Sequence, residues 1–338
     1  MTRARRRGRS SRGSSLRSRR SLEAVRLATL ERRAWPRPAV AVGNFDGVHR
    51  GHQALVAQAV GEARATGGTA VVLTFDPHPS RVLAPERAAS TLTTLDQKAE
   101  LLGRLGVDRL AVLPFTAELA AQDPEAFAGR VLHDMLQAAT VVVGAGFRFG
   151  RGRAGDVALL RRVGRRLGFE VHGMRPVLHQ GAPISSSRVR EALARGDVTA
   201  AAEMLGRLFF IDGEVVRGVG RGRTLGIPTA NLAPVNETLP GNGVYACLLH
   251  VHDSGEPPRP AVVNIGRRPT FGGTETIVEA HVLDFDGDLY DRRVRLAFHS
   301  RLRPEHTFPG PQALVEQIRR DIEAARQALR AAPMTDAI

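Results

Sequence analysis

Residues 36–205 alternate short apolar runs with longer segments whose apolar positions recur at helical spacing. The apolar runs are almost continuous, which is typical of strands in a parallel sheet covered on both faces. We predict strands at residues 39–43, 69–75, 108–113, 139–143 and 169–173. We predict helices at residues 51–65, 94–105, 124–137, 155–167 and 187–195. This alternation predicts an α/β domain with a Rossmann-like parallel sheet.

The pattern changes at about residue 206, where short strands are separated by turns rich in Gly and Pro. The predicted strands lie at residues 209–216, 243–251, 260–265, 276–285 and 293–298. Polar Glu279 and His281 alternate with apolar neighbours, the period-two pattern of a strand with one buried face. Residues 206–338 are therefore predicted to form an antiparallel barrel or sandwich, followed by an amphipathic helix over residues 311–330.

The formal charge of +14 is concentrated at one end of the 338-residue chain. Residues 1–20 contain nine arginines and no acidic residue, so about +5 remains for the rest. We predict that residues 1–35 form a basic, disordered tail, and this distribution argues against a nucleic-acid partner. No apolar run approaches the ~20 residues of a membrane span, and Cys247 is the single cysteine. We expect a cytoplasmic protein without a membrane partner, and its oligomeric state stays open.

The segment between the first predicted strand and helix, residues 43–52, reads Gly-Asn-Phe-Asp-Gly-Val-His-Arg-Gly-His. It places His49 and His52 at a helix N-terminus, where unpaired N–H groups and the helix dipole favour an anion. Because residues three apart share a helical face, both imidazoles can touch one phosphate. The motif predicts nucleotidyl transfer, with stabilisation of charge on an α-phosphate. The alternatives are a structural role or a zinc site, for which no third ligand lies nearby.

Two further segments of this domain offer phosphate-binding groups. The serines at residues 185–187 begin a predicted helix and Arg188 adds a charged fork, so this cluster is either an ordinary N-cap or a second phosphate clamp. The glycines of residues 144–150 resemble a dinucleotide fingerprint that is one residue too long. We favour an adenosine-contacting loop there over a nicotinamide site.

The second domain contains its own candidate chemistry. Its glycines at residues 218, 220 and 222 form either a tight turn or a loop whose amides approach phosphates. Thr229 and Asn231 offer oxygen ligands suited to Mg²⁺, although the segment lacks the Walker A ending. Glu279 interrupts an apolar strand, so it either accepts a proton from a substrate hydroxyl or is merely solvated.

Taken together, these motifs resemble those of the bacterial bifunctional riboflavin kinase/FAD synthetases over residues 36–330. Three further segments contribute to the resemblance: Thr-Phe-Asp-Pro-His-Pro at residues 74–79, Asn-Ile-Gly-Arg-Arg-Pro-Thr at 264–270 and Asp-Phe-Asp-Gly-Asp-Leu-Tyr at 284–290. The resemblance implies an α/β nucleotidyltransferase domain followed by a mainly antiparallel β-barrel kinase domain with a C-terminal helix. It also implies two reactions, phosphorylation of riboflavin to FMN and transfer of AMP from ATP to FMN. Mg²⁺ would be the cofactor, ATP the co-substrate, and FMN and FAD the products.

The resemblance assigns roles to individual residues of both domains. In the first domain it implies that His49 and His52 stabilise the α-phosphate, with Arg188 as a further catalytic residue. The nucleotide-binding residues it implies there are Gly43, Phe45, Asp46, Gly51, Ser185, Ser186 and Ser187. In the second domain it implies Thr229 and Asn231 as Mg–ATP ligands and Glu279 as the base. The remaining binding residues it implies are Gly218, Gly220, Gly222, Arg223 and Gly226 around the phosphates, and Asp288, Tyr290 and Arg303 near the flavin.

Three positions depart from the usual pattern of this family. Gly146 replaces an Asp or Asn, Pro183 replaces a basic residue, and Asp291 replaces a Gly. The first two motivate an alternative function, a riboflavin kinase whose adenylyltransferase domain is impaired.

Overall fold

The computed structural model describes residue 22 and residues 24–27, 35–218, 227–270 and 273–330. Six parallel strands form one sheet in the first domain, in the order β1-β4-β3-β2-β5-β6. Their bounds are β1 Ala24–Arg26, β2 Ala39–Val42, β3 Ala70–Asp76, β4 Arg109–Pro114, β5 Thr140–Gly144 and β6 Glu170–Met174. The last five agree with the predicted strands to within one residue at each end.

The first domain also contains a series of α-helices. Their bounds are α1 Arg50–Thr66, α2 Pro79–Leu83, α3 Leu95–Arg104, α4 Ala117–Ala120, α5 Pro124–Phe127, α6 Val157–Leu167, α7 Ser186–Ala194 and α8 Val198–Leu205. Of these, α1 and α6 pack on the parallel sheet and α8 packs on the second domain. The single helix predicted over residues 124–137 is α5 continued by a π-helical segment, Ala128–Met135. A short hairpin of β7, Leu178–His179, and β8, Ala182–Pro183, precedes α7.

Strand β1 corrects the prediction of a disordered tail that extends to residue 35. Ala24, Val25 and Arg26 pair in parallel with residues 110–112 of β4 at the edge of the sheet. Leu27, which follows, is 2% exposed and belongs to the core. Residues 24–27 therefore belong to the first domain.

Six antiparallel strands close into a barrel in the second domain, in the order β10-β13-β12-β11-β14-β9, with β9 paired to β10. Their bounds are β9 Phe209–Val216, β10 Ala230–Pro234, β11 Gly243–Val251, β12 Arg259–Thr270, β13 Gly273–Val282 and β14 Arg293–Arg303. Helix α9, Pro311–Arg330, packs on β11, β12 and β14. The predicted fold class, a parallel α/β domain followed by an antiparallel barrel with a C-terminal helix, is confirmed, and β10 was not predicted.

A buried polar network joins α3 to the barrel. Arg295 is 3% exposed, and its Nε lies 2.7 Å from Asp212 Oδ1 while its Nη2 lies 2.7 Å from Glu100 Oε2. Gln97 Nε2 donates to Asp212 Oδ2 and to Asn236 Oδ1, each at 2.9 Å. Because each charge has an opposite charge and hydrogen bonds, the network offsets the desolvation that burial imposes. It holds the two domains together.

Membrane-spanning segments were sought in the described residues. No helix among them combines the length and the apolar character that a bilayer span requires.

Candidate active sites

The turn after β2 is a tight backbone loop at the carboxyl edge of the sheet. Phe45 and Val48 adopt left-handed conformations, with φ of 49° and 42°, which residues with a Cβ rarely do. Gly47 has φ of 79°, and a Cβ there would lie 2.7 Å from Leu92 Cδ1, so only glycine fits. Phe45 itself is fully buried and contributes to the core. The loop is therefore fixed by packing before any ligand arrives.

His49 and His52 meet at the start of α1. His49 caps the helix, and its Nδ1 accepts a hydrogen bond from the His52 backbone N–H at 3.3 Å. The two rings stack with centroids 3.6 Å apart and an angle of 16° between their planes. A Cβ at residue 51 would lie 3.1 Å from His49 Nδ1, which explains the small residue between the histidines. The structure thus brings the two predicted imidazoles together at one helix N-terminus.

Burial keeps both histidines neutral. Burial, with a smaller contribution from the charge of Arg207, lowers the pKa of His49 to about 4. Burial, followed by the charges of His49 and Lys98, holds the pKa of His52 well below its usual value. His52 Nδ1 is buried and has no hydrogen-bond partner among the described residues. A phosphate oxygen near this nitrogen would satisfy a polar atom that is otherwise costly to bury.

Asp46 connects the histidine turn to the segments packed around it. It is 1% exposed, and its Oδ1 accepts hydrogen bonds from the backbone N–H groups of Leu92 at 2.9 Å and Thr93 at 3.3 Å. Its Oδ2 lies 2.6 Å from Arg190 Nη2. Both carboxylate oxygens are engaged by the protein, so Asp46 joins the histidine turn to α7. Gly43, at the other end of the motif, lies against the ring of Phe45.

The serine cluster reaches the histidine turn through one of its members. Ser186 Oγ donates to the Asp46 carbonyl at 2.9 Å, whereas Ser185 caps α7 and Ser187 is exposed. Arg188 donates to the carbonyls of Ala182 at 2.8 Å and Pro183 at 2.9 Å. In this structure Arg188 therefore stabilises the β7–β8 hairpin, and its guanidinium does not face the histidines.

Three residues near the histidines were not predicted from the sequence. Lys98 Nζ donates to the Asn44 carbonyl at 2.8 Å, and burial lowers its pKa. Arg207 Nη2 donates to the Gly47 carbonyl at 2.9 Å, and Gln53 Nε2 donates to the Val48 carbonyl at 2.9 Å. The available signal for Lys98 was its place in an amphipathic helix, which does not distinguish a buried lysine from a surface one.

In the barrel, Glu279 stands in a row of polar side chains on the outer face. It pairs with Asn231 of β10 on one side and with Asn264 of β12 on the other. Its strand neighbours Val278 and Ala280 are buried in the barrel core. A Cβ at Gly218 would overlap the Asn231 side chain, so glycine allows this close approach. The predicted residues Gly218, Asn231 and Glu279 are thus close together.

Two cavities meet at Thr229. The first, about 510 Å³, lies between the barrel face and α9 and is lined by Glu279, Arg303 and Ile318 among others. The second, about 680 Å³, is lined by Arg217, Asp288 and Tyr290. Thr229 contributes to both. Arg303 thus lines the first cavity, whereas Asp288 and Tyr290, which the resemblance also implies near the flavin, line the second.

Arg303 and the flavin-loop residues have partners within the protein. Arg303 Nη2 lies 2.9 Å from Asp321 Oδ2 of α9, and its guanidinium stacks 5.5 Å from the centre of the Phe308 ring. Asp288 Oδ1 accepts from the Tyr290 N–H at 2.8 Å. The predicted binding residues Gly220, Gly222, Arg223 and Gly226 lie outside the described residues.

The three departures from the family pattern lie at exposed positions. Gly146 follows β5, and a Cβ there would meet nothing within 4 Å. Pro183 lies in β8, where its carbonyl is bound by Arg188. Asp291 has φ of 60°, the left-handed conformation that glycine adopts most easily. None of the three contacts His49 or Glu279 in any interaction that the structure describes.

A neutral histidine pair lies at the edge of the parallel sheet, and a carboxylate lies between two asparagines on the barrel, so each domain offers one candidate site. A family model described as FAD synthetase matches residues 31–188, and one described as riboflavin kinase matches residues 205–329. The chain belongs to the family of bifunctional riboflavin kinase/FMN adenylyltransferases. Because both models match, the alternative of a kinase alone is not favoured.

Curated proteins and a solved structure agree with this assignment. The chain is 39% identical over 286 residues to the bifunctional riboflavin kinase/FMN adenylyltransferase of Escherichia coli, covering 85% of this chain and 91% of that protein. It is 41% identical to the Pseudomonas fluorescens enzyme of the same description, covering 84% and 91%. A crystal structure from Streptococcus pneumoniae, described as a macrolide-efflux protein, matches with a TM-score of 0.81 and 30% identity, covering 90% and 98%. Efflux is a description of that protein and is not carried over here.

Proposed function

We propose that this chain makes FAD in two steps. Its barrel domain phosphorylates riboflavin with ATP to give FMN, and its α/β domain transfers AMP from ATP to FMN, releasing pyrophosphate. The match of the two family models to separate parts of the chain supports two activities rather than one. The substrates are three small molecules, riboflavin, FMN and ATP. Because both steps consume ATP, we expect the protein to act in the cytoplasm.

In the adenylylation step, a phosphate oxygen of FMN attacks the α-phosphorus of ATP and the bond to the bridging oxygen breaks. Neutral His49 and His52 each carry one ring N–H, which can donate a hydrogen bond to a phosphate oxygen and so stabilise the negative charge that develops there. The adjacent start of α1 offers its free N–H groups and positive dipole end to the same phosphates. The rigid turn keeps this arrangement aligned, which lowers the reorganisation needed in the transition state.

In the kinase step, the 5′-hydroxyl oxygen of riboflavin attacks the γ-phosphorus of ATP while Glu279 accepts the hydroxyl proton, and the bond to the β,γ-bridging oxygen breaks to release ADP. The large cavity between the barrel and α9 leaves room for a flavin beside this carboxylate, and its mixed lining suits an aromatic ring with polar edges. Thr229 lines both this cavity and the second one, which Asp288 and Tyr290 also line.

The oxygen donors near Glu279 fit a magnesium ion that is shared with ATP. Thr229 and Asn231 would supply hydroxyl and amide oxygens, and such a sparse protein donor set is usual when phosphates and water complete the octahedron. Among the described residues no group of three or more His, Cys, Asp or Glu side chains forms a self-sufficient metal site. The ion would neutralise phosphate charge during transfer.

The observation that carries this proposal is the stacked, neutral histidine pair at the start of α1, because it supplies the chemistry that a kinase alone does not need. The test supplies riboflavin, ATP and Mg²⁺ and follows products by chromatography. We expect FMN first and FAD after it. A second reaction that starts from FMN and ATP isolates adenylylation, and its failure to yield FAD would leave only the kinase.

A further inference from the structure

A cavity of about 220 Å³ lies beyond the carboxyl end of β3, and both domains line it. The α/β domain contributes Phe75, His78 and Lys98 among others, and the barrel contributes Val235 and Glu237. The mechanism described above makes no use of this cavity.

The cavity is connected directly to the histidine turn. Asn44 Nδ2 lies 3.2 Å from His78 Nε2, and the Asn44 carbonyl accepts from Lys98 Nζ at 2.8 Å. Asn44 belongs to the turn, whereas His78 and Lys98 belong to the cavity wall. A molecule in the cavity would therefore lie next to the groups assigned to the α-phosphate.

The sheet topology indicates which substrate this cavity receives. In a doubly wound sheet a ligand lies where the strand order reverses. Here the chain runs from β2 through β3 to β4 on one side and then returns from β4 to β5 on the other side of β2, so the reversal lies between β2 and β5. That crevice is the place for ATP, since the histidine turn follows β2. The cavity at the end of β3 lies on the other side of the turn, which leaves it for the second substrate, FMN.

The walls suit a flat apolar ring that bears an anionic group. Phe75, Leu95 and Val235 provide apolar surface. Three carboxylates, Asp46, Asp76 and Glu237, also line the cavity, but each is paired with an arginine, Arg190, Arg26 and Arg81 respectively. The buried ammonium of Lys98 therefore provides positive charge for an anionic group. Val235 is 60% exposed, so its side chain is accessible to a molecule in the cavity.

The position of Val235 is fixed from both sides. Its N–H donates to the Asp212 carbonyl at 2.9 Å, and the next residue, Asn236, donates to Gln97 Oε1 at 2.9 Å. Glu237 accepts from the Thr91 N–H at 2.8 Å. Val235 is thus part of the barrel chain but is held against the α/β domain.

We infer that Val235 of the barrel forms one wall of the FMN subsite in the adenylyltransferase domain, opposite Phe75. This inference rests on the proposed adenylylation. It makes the first active site a composite of both domains, so the kinase domain determines how well its own product binds at the next site.

The test compares the Michaelis constants of Val235→Asp with those of the unaltered full-length chain. A carboxylate would lie against the flavin ring, and we expect the KM for FMN in adenylylation to rise about tenfold. The KM for ATP and the phosphorylation of riboflavin should stay within twofold. Val235→Leu, which keeps an apolar wall, should retain the original KM for FMN. Because Val235 is exposed, neither variant should fail to fold.

Leu83→Ser is the matched control, because Leu83 is 61% exposed and does not line the cavity. It should leave all constants unchanged. An unaltered KM for FMN in Val235→Asp would overturn the inference, as would an equal rise for riboflavin, which would indicate damage to the barrel. A parent enzyme that makes no FAD from FMN would instead refute the proposed adenylylation itself.

Discussion

The two sites are built by opposite means. In the histidine site the backbone fixes the geometry. A turn with three left-handed residues holds two stacked rings, and His49 is only 5% exposed. The barrel site is made of side chains: Thr229 and Glu279 line wide cavities, and Asn231 lies beside Glu279 on the neighbouring strand. The first arrangement is buried within the protein, whereas the second borders open cavities. A site that stabilises charge benefits from a fixed frame, and a site that accepts a proton needs one well-placed group.

Glu279→Gln tests the barrel site and is expected to have the largest effect. Because the amide cannot accept the hydroxyl proton, riboflavin phosphorylation should fall by about 10²–10⁴-fold, while FMN adenylylation stays unchanged. Initial rates of both half-reactions measure this. Glu214→Gln, at an exposed position of β9, is the control. Equal loss of both activities in a folded variant would contradict the assignment of separate sites.

His52→Ala tests the histidine site of the α/β domain. Removal of one preorganised donor should slow adenylylation by about 10²–10³-fold and leave riboflavin phosphorylation intact. The measurement is single-turnover FAD formation from FMN and ATP. His133→Ala, which removes an exposed histidine of the same domain, should have no effect. Normal adenylylation by the His52 variant would show that the stacked pair has a structural role only.

Asp212→Asn tests the link between the two regions. It leaves buried Arg295 with Glu100 as its remaining carboxylate, so we expect a loss of about 3 kcal/mol in the free energy of unfolding. Denaturant unfolding measures the change. Glu256→Gln, which breaks an exposed pair with Arg259, should cost about 1 kcal/mol or less. Similar small losses in both variants would mean that the buried network contributes little.

The smallest expected effect is the pH dependence of the stability that buried His49 contributes. The folded-state pKa of His49, about 4, lies below the ~6.5 of an unfolded chain. The unfolded state therefore binds the proton first, so this stabilising contribution is complete above about pH 6.5 and declines as the pH falls toward 4. Nuclear magnetic resonance of the imidazole should show a neutral ring at pH 5.5. Titration of His49 near pH 6.5 would contradict the burial argument.

Much of the fold was predictable because its strands are continuous apolar runs. The five predicted strands of the first domain agree with the structure to within one residue at each end. Near-continuous apolar runs of this length are typical of strands buried on both faces of a parallel sheet. β1 was missed because Ala24–Arg26 has no strand pattern of its own and is defined by pairing with β4. β10 was missed because it is short and ends at Pro234.

The candidate sites were predictable only where chemistry is concentrated in a short motif. His49 and His52 lie within ten residues that also contain the glycines of their turn, so the sequence reveals both rings and frame. Lys98, Arg207 and Val235 lie far along the chain and acquire their positions from tertiary contacts. Asp46 and Arg188 were predicted to contact a ligand, but in the structure their charged groups also have partners within the protein. Asp46 pairs with Arg190, and Arg188 donates to the Ala182 carbonyl.

The buried Arg295 has a consequence for recombination. The two domains look like exchangeable modules in sequence, but the guanidinium of one is neutralised in part by Glu100 of the other. A chimaera that joined this barrel to the α/β domain of a relative lacking an acid at that position would inherit an uncompensated cation inside its junction. A chimaera should therefore keep α3 with the barrel, because Glu100 and Arg295 stabilise the junction only as a pair.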